Sequence, residues 1–76
     1  GLPISVVFDA RPLIDSGDTP MPKILKAMDD LKSGEVFELL TPFYPAPIID
    51  TLRKKGYSSW SKKVTPDIVN TYFMRK

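Results

Sequence analysis

The chain contains no cysteine and no histidine. That absence excludes disulfides, thiolate nucleophiles, Cys/His zinc sites and imidazole acid–base chemistry together. With no covalent staple, the 76 residues must be held by one hydrophobic core, and a domain this small buries only roughly 60% of the surface its unfolded chain exposes. The missing thiols fit a reducing cytoplasm, the expected location. Long apolar runs are missing too: nothing approaches the ~18 residues a membrane-spanning helix needs. No basic segment followed by an apolar stretch opens the chain, so no signal peptide is expected. What remains is ordinary for a soluble globular domain, with 42% apolar and 26% charged residues. The chain starts at Gly1 and not at Met. It is therefore expected to be one domain, residues 1–76, excised from a longer protein or carrying a tag remnant.

An excess of either charge is missing, with 11 basic against 9 acidic side chains for a net +2, but the charges are unevenly placed. Residues 1–41 hold four basic and seven acidic side chains (−3), and residues 42–76 hold seven basic and two acidic (+5). The basic set is Arg53, Lys54, Lys55, Lys62, Lys63, Arg75 and Lys76. Its plain reading is a solvated surface; the sharper one is an acceptor for an acidic partner or nucleic acid.

The strongest local pattern is Asp18-Thr19-Pro20-Met21-Pro22 and the helix it predicts, running to about Ser33-Gly34. Asp18 or Thr19 supplies a side-chain oxygen as N-cap. Pro20 and Pro22 fit the first turn, where a missing N–H costs nothing. Met21, Ile24, Leu25, Met28 and Leu31 then form one apolar stripe, and Gly34 is the expected left-handed stop. Upstream, Ile4–Asp9 reads as a β-branched strand and Arg11–Asp18 as a loop. Glu35–Thr41 predicts a second strand, apolar enough to be central. Pro42-Phe43-Tyr44-Pro45-Ala46-Pro47 breaks regular structure, and a second helix begins at Pro47. Ile48, Ile49 and Leu52 face inward on it, Asp50, Arg53 and Lys54 outward, and Gly56 ends it. Tyr57–Val64 and Ile68–Arg75 form a hairpin through Thr65-Pro66-Asp67. Right-handed crossovers turn this β-α-β-α-β-β order into an α+β fold. It is a two-layer α/β sandwich: a four-stranded mixed sheet with two helices on one face.

The other sheet face is left uncovered. If Tyr72 and Met74 point to the helices, Val69, Thr71 and Phe73 point away from them, joined by Trp60. An uncovered face with Phe and Trp is a surface for self-association or a partner, unless these are scattered aromatics shielded by lysine stems.

Phe8-Asp9-Ala10-Arg11, Thr19-Pro20-Met21-Pro22, Gly34-Glu35 and the closing Tyr72-Phe73-Met74-Arg75-Lys76 resemble the TusA/SirA sulfur-carrier family in element order. Asp9-Ala10-Arg11-Pro12-Leu13, Pro20-Met21-Pro22 with Ile24-Leu25, Thr41 to Pro47, and Arg53-Lys54-Lys55-Gly56-Tyr57 are closer still to an uncharacterised bacterial branch of that superfamily. Members of that branch can be attached to other domains, hemerythrin-like ones among them. In the carriers a Cys precedes the Pro-x-Pro, where the helix N-terminus stabilises a thiolate. The matching position here is Thr19, whose hydroxyl cannot form a persulfide, and the loop before it is longer than in the carriers. The resemblance implies the TusA/SirA-like fold and argues against the activity, leaving Thr19 as an N-cap.

The leading expectation is a non-enzymatic binding or regulatory module, with no cofactor and no metal. Its ligand edge lies beyond the carboxyl ends of the parallel strands, with Arg11, Thr19, Pro20, Pro22, Phe43 and Tyr44 as candidates for a small molecule. The second is a protein-interaction domain whose partner is another protein, an adjoining domain or a second copy in a weak homodimer. Its surface candidates are Arg53, Lys54, Trp60, Lys62 and Phe73. Nucleic acid ranks third, from a likeness of fold to the C-terminal domain of a translation initiation factor, and no membrane association is expected. Enzyme activity ranks last, because Asp9, Asp15 and Asp18 are turn-prone neighbours and not an acid/base pair.

Overall fold

Seven elements follow one another: β1 (Ile4–Asp9), α1 (Arg11–Asp15), α2 (Met21–Asp29), β2 (Val36–Thr41), α3 (Ala46–Lys54), β3 (Tyr57–Thr65) and β4 (Ile68–Arg75). The computed structural model describes residues 4–75; Gly1 and Lys76 lie outside the described residues. The strands form one mixed sheet in the order β1-β2-β4-β3. β1 runs parallel to β2, while β4 is antiparallel to both β2 and β3. The α+β sandwich and its β-α-β-α-β-β order are as expected from the sequence, and β2 is indeed central.

Alternation along the two central strands fixes which face is core. Phe37, Leu39 and Thr41 of β2 stand opposite Phe73, Thr71 and Val69 of β4, and all six are buried. Ile24, Met28 and Leu31 pack on this side from α2 and the turn after it, with Ile48, Ile49 and Leu52 from α3. Phe8 joins from β1, its ring 6.3 Å from Phe37, which in turn lies 6.4 Å from Phe73. Each such buried side chain contributes about 1.5–3 kcal/mol. The expected stripe on α2 and the inward face of α3 therefore do form the core.

Three expectations are corrected. Arg11–Asp15, expected as loop, is a short helix with proline in its first turn, the position that tolerates a missing N–H. It closes in a Schellman motif: Gly17 N–H donates to Ile14 O, Asp18 N–H to Leu13 O, and Gly17 takes φ 85°. Second, α2 stops at Asp29, short of Ser33-Gly34. Adjacent Asp29 and Asp30 sit at the negative end of its dipole, where carboxylates are disfavoured. Gly34, at φ 88°, serves a separate turn in which Glu35 N–H bonds Lys32 O. Besides the local bonds from Asp30 N–H to Lys26 O and Leu31 N–H to Met28 O, carbonyls at and just after the helix end are bonded from across the fold. Tyr57 Oη–H donates to Met28 O at 3.0 Å, and the Arg75 guanidinium donates to Leu31 O and lies 5.4 Å from the Tyr57 ring. Third, Val69, Thr71 and Phe73 face the helices, and Asn70, Tyr72 and Met74 occupy the helix-free face, the reverse of the sequence expectation. Phe73 is drawn inward because its cross-strand neighbour is Phe37. No helix among the described residues is long and apolar enough to cross a membrane.

Candidate binding surfaces

At the carboxyl edge of the parallel pair, Ala10 N–H extends the ladder to Leu40 O and delivers the chain into α1. Arg11 turns back onto Asp9: its Nε–H reaches Oδ1 at 2.8 Å, Nη2 reaches Oδ2 at 2.7 Å, and the backbone N–H reaches Oδ1 at 3.0 Å. The hydrogen bond from Arg11 holds the Asp9 carboxyl below its ordinary range, and Asp9 raises Arg11 in return. A bidentate pair uses up the fork that would otherwise grip an anion. Asp9, Arg11, Pro12 and Asp15 line only a shallow open depression.

The two longer helices present similar N-termini. Each follows a proline N-cap without a side-chain cap bond, Pro20 for α2 and Pro45 for α3, and each carries a second proline in its first turn. Pro20-Met21-Pro22 and Pro45-Ala46-Pro47 are thus the same device used twice. It removes one orphan donor, and a second is occupied: Met21 N–H lies 3.5 Å from Thr19 Oγ1, and Ala46 N–H bonds Tyr44 O at 3.0 Å. Thr41 Oγ1 donates to Phe43 O and folds that loop so that Phe43 and Tyr44 stay half exposed, at 50% and 59%.

The helix-free face is organised in rows across the sheet. One row reads Val7, Glu38, Tyr72, Trp60, and the next Asp9, Leu40, Asn70, Lys62. Trp60 stacks on Tyr72 with centroids 5.3 Å apart and planes 19° apart, a favoured offset geometry for aromatic pairs. Trp60 remains 41% exposed and Val7 61%. Asn70 Oδ1 is buried with no hydrogen-bond partner among the described residues, so side chains already shut water out at the centre of this face. Among the described residues, no three His, Cys, Asp or Glu side chains gather as a metal site.

Residues 7–73 match the model of a family described as an uncharacterized conserved protein, DUF2249. The chain belongs to the DUF2249 family. No curated protein and no solved structure matches it.

The DUF2249 fold divides the residues singled out from the sequence. Arg11, Thr19, Pro20 and Pro22, with Phe43 and Tyr44, border the carboxyl edge, but Arg11 is committed to Asp9 and Thr19 is a weak neighbour of Met21 and not the N-cap. The five partner-surface candidates do not form one surface. Arg53 and Lys54 lie on α3 in the helix layer, Lys54 pairing with Asp50 at 3.1 Å. Trp60 and Lys62 lie on the opposite, helix-free face. Phe73 is in neither place; it is fully buried. Sequence reasoning missed Val7, Glu38 and Leu40 on the helix-free face and placed Tyr72 and Met74 on the wrong one. Counting back from the two-residue Pro66-Asp67 turn would set Trp60 opposite Phe73; an irregularity between Lys63 and Thr65 shifts the register by one, so that Trp60 meets Tyr72, and no signal in the sequence marked that shift.

Proposed function

We propose that this DUF2249 domain is a non-enzymatic interaction module that engages a protein through the helix-free face of its sheet. The observation that carries this reading is the Trp60–Tyr72 stack left 41% open at Trp60, beside the 61% exposed Val7. Uncovered apolar rows rimmed by charge are typical of partner surfaces, and stacked Trp and Tyr are the side chains that dominate binding energy there. A photo-crosslinking amino acid at position 60, in cells expressing the chain, should form protein adducts that Val7→Glu diminishes. The same group at Asp50, on α3, should form far fewer. Equal adducts from both positions, or none from position 60, would sink the reading.

The carboxyl edge supports a small-molecule ligand less well, since its cation is paired and its depression shallow. The acidic Glu38 and Asp9 count against nucleic acid on the sheet face; salt-sensitive RNA binding centred on Trp60 would reverse that ranking. The motif likeness to TusA/SirA carriers extends, in this reading, to the order of elements and not to sulfur transfer. Thr19→Cys should yield no persulfide transfer from a sulfur donor, because the segment before Thr19 is longer than in the carriers and holds the extra helix α1. Transfer by that variant would restore the carrier reading.

A further inference from the structure

The charges on the helix-free face are sorted by strand. Asp9 and Glu38 lie on β1 and β2, and Lys62 lies on β3 at the far edge. Asp9 is neutralised by Arg11, whereas Glu38 and Lys62 form no ion pair among the described residues. The apolar groups are divided as well: Val7 stands out on β1, and Trp60 leans on Tyr72 on the β3–β4 side. A face with one acidic half and one basic half is self-complementary under one two-fold operation and not under the other.

We infer that the partner on this face is a second copy of the chain, stacked sheet on sheet about a two-fold axis parallel to the strands. This rests on the reading of the helix-free face as the interaction surface. Such an axis lays β3 of each copy over β1 of the other and β4 over β2. Trp60 of one copy then covers Val7 of the other, Tyr72 covers Glu38 and can donate its hydroxyl proton to that carboxylate, and Lys62 stands over Asp9 with Glu38 diagonal to it, one strand and one row away. The perpendicular axis in the same plane sets Glu38 against Glu38, a repulsion that disfavours it. Aligned sheets pack about 10 Å apart with interdigitating side chains, so the assembly is a β-sandwich with the helices outside. Its interface is isologous, and each contact occurs twice; a single substitution therefore acts on two places.

Sedimentation of the 76-residue chain from micromolar concentrations to about 1 mM, the weak limit of specific association, tests this. The parent should show a concentration-dependent dimer. Trp60→Glu and Val7→Glu, both at exposed positions, should abolish it while leaving the circular dichroism spectrum unchanged. Lys62→Glu and Glu38→Lys should each weaken it by about tenfold, the effect of losing a solvent-exposed charge pair twice, and the double swap Glu38→Lys/Lys62→Glu should return it to near the parent value. A monomer at every concentration overturns the inference, as does a dimer indifferent to Trp60→Glu or a double swap no better than the single variants. A monomeric chain that still cross-links to a different protein from position 60 fails this inference and leaves the interaction reading standing. A monomer with no adducts from that position fails both.

Discussion

Tyr72 and Phe73 are neighbours in sequence, similar in size and both aromatic, yet they live on opposite faces of one strand. Phe73 is fully buried against Phe37, while Tyr72 faces away from the helices with Trp60 stacked on it. Composition does not separate them. Both alternating sets of β4 hold an aromatic and an aliphatic or thioether group: Val69, Thr71 and Phe73 on one side, Asn70, Tyr72 and Met74 on the other. The choice is made by the neighbouring strand, where Phe73 meets Phe37 and Tyr72 meets Glu38. A one-residue slip of β2 would turn Glu38 under the helices, at the desolvation cost of an unpaired carboxylate.

The largest effect should come from truncating the covered face. Phe73→Ala removes a fully buried ring and should cost about 3–5 kcal/mol in urea unfolding, a large share of the roughly 4–11 kcal/mol expected of so small a domain. Trp60→Ala, at 41% exposure, should cost about 1 kcal/mol or less in the monomer, near the value of an aromatic pair beyond its buried area. Comparable losses at the two positions would erase the distinction between the faces.

This contrast also marks how far the fold was legible in the chain. Helix stripes were readable because a 3.6-residue period over Met21, Ile24, Leu25, Met28 and Leu31 admits one inward face. Strands Ile4–Asp9 and Ile68–Arg75 were readable to the residue, and the central place of β2 followed from an apolarity interrupted inside the strand only by Glu38. Which face of β4 turned inward was not readable, since strand parity is set by long-range pairing and both parities were apolar. α1 was hidden because Pro12 reads as punctuation, although a proline start and the Gly17 stop were present. At the site, the sequence pointed to Trp60 and Lys62, while Val7, Glu38 and Leu40 became their neighbours only through the strand order β1-β2-β4-β3.

An intermediate effect tests how the helix layer is fastened to its sheet. Arg75, near the end of β4, donates to Leu31 O and approaches Met28 O and Asp29 O at 3.5 and 3.4 Å. A cation at the C-terminal end of α2 complements the dipole and satisfies carbonyls that no glycine cap serves. Arg75→Ala should lower stability by about 1–2 kcal/mol and speed amide exchange in the last turn of α2 before that of α3, which closes at Gly56 with φ 97°. Equal acceleration in both helices would mean that Arg75 acts through general stability and not as a clasp.

The smallest effect concerns the one pair that touches both surfaces. Asp9 sits at the edge of the helix-free face and at the mouth of the carboxyl edge, bonded to Arg11. Its folded-state pKa is lowered from 3.8, so the stability it contributes is present above that ordinary value and is lost as pH falls through the lower, folded-state value. The pair is exposed, and such pairs contribute little. The stability difference between parent and Asp9→Asn should therefore be slight at neutral pH and vanish in acid. A difference that stays constant with pH would mean the amide replaces the carboxylate as a hydrogen-bond acceptor and charge is irrelevant. The same pair sharpens the two-faced picture. Because Arg11 and Asp9 cancel each other, removing both together (Asp9→Asn with Arg11→Gln) should leave self-association nearly unchanged under conditions where Glu38→Gln weakens it. Were loss of the pair the more damaging of the two, the charge facing Lys62 would lie at the sheet edge and not at Glu38.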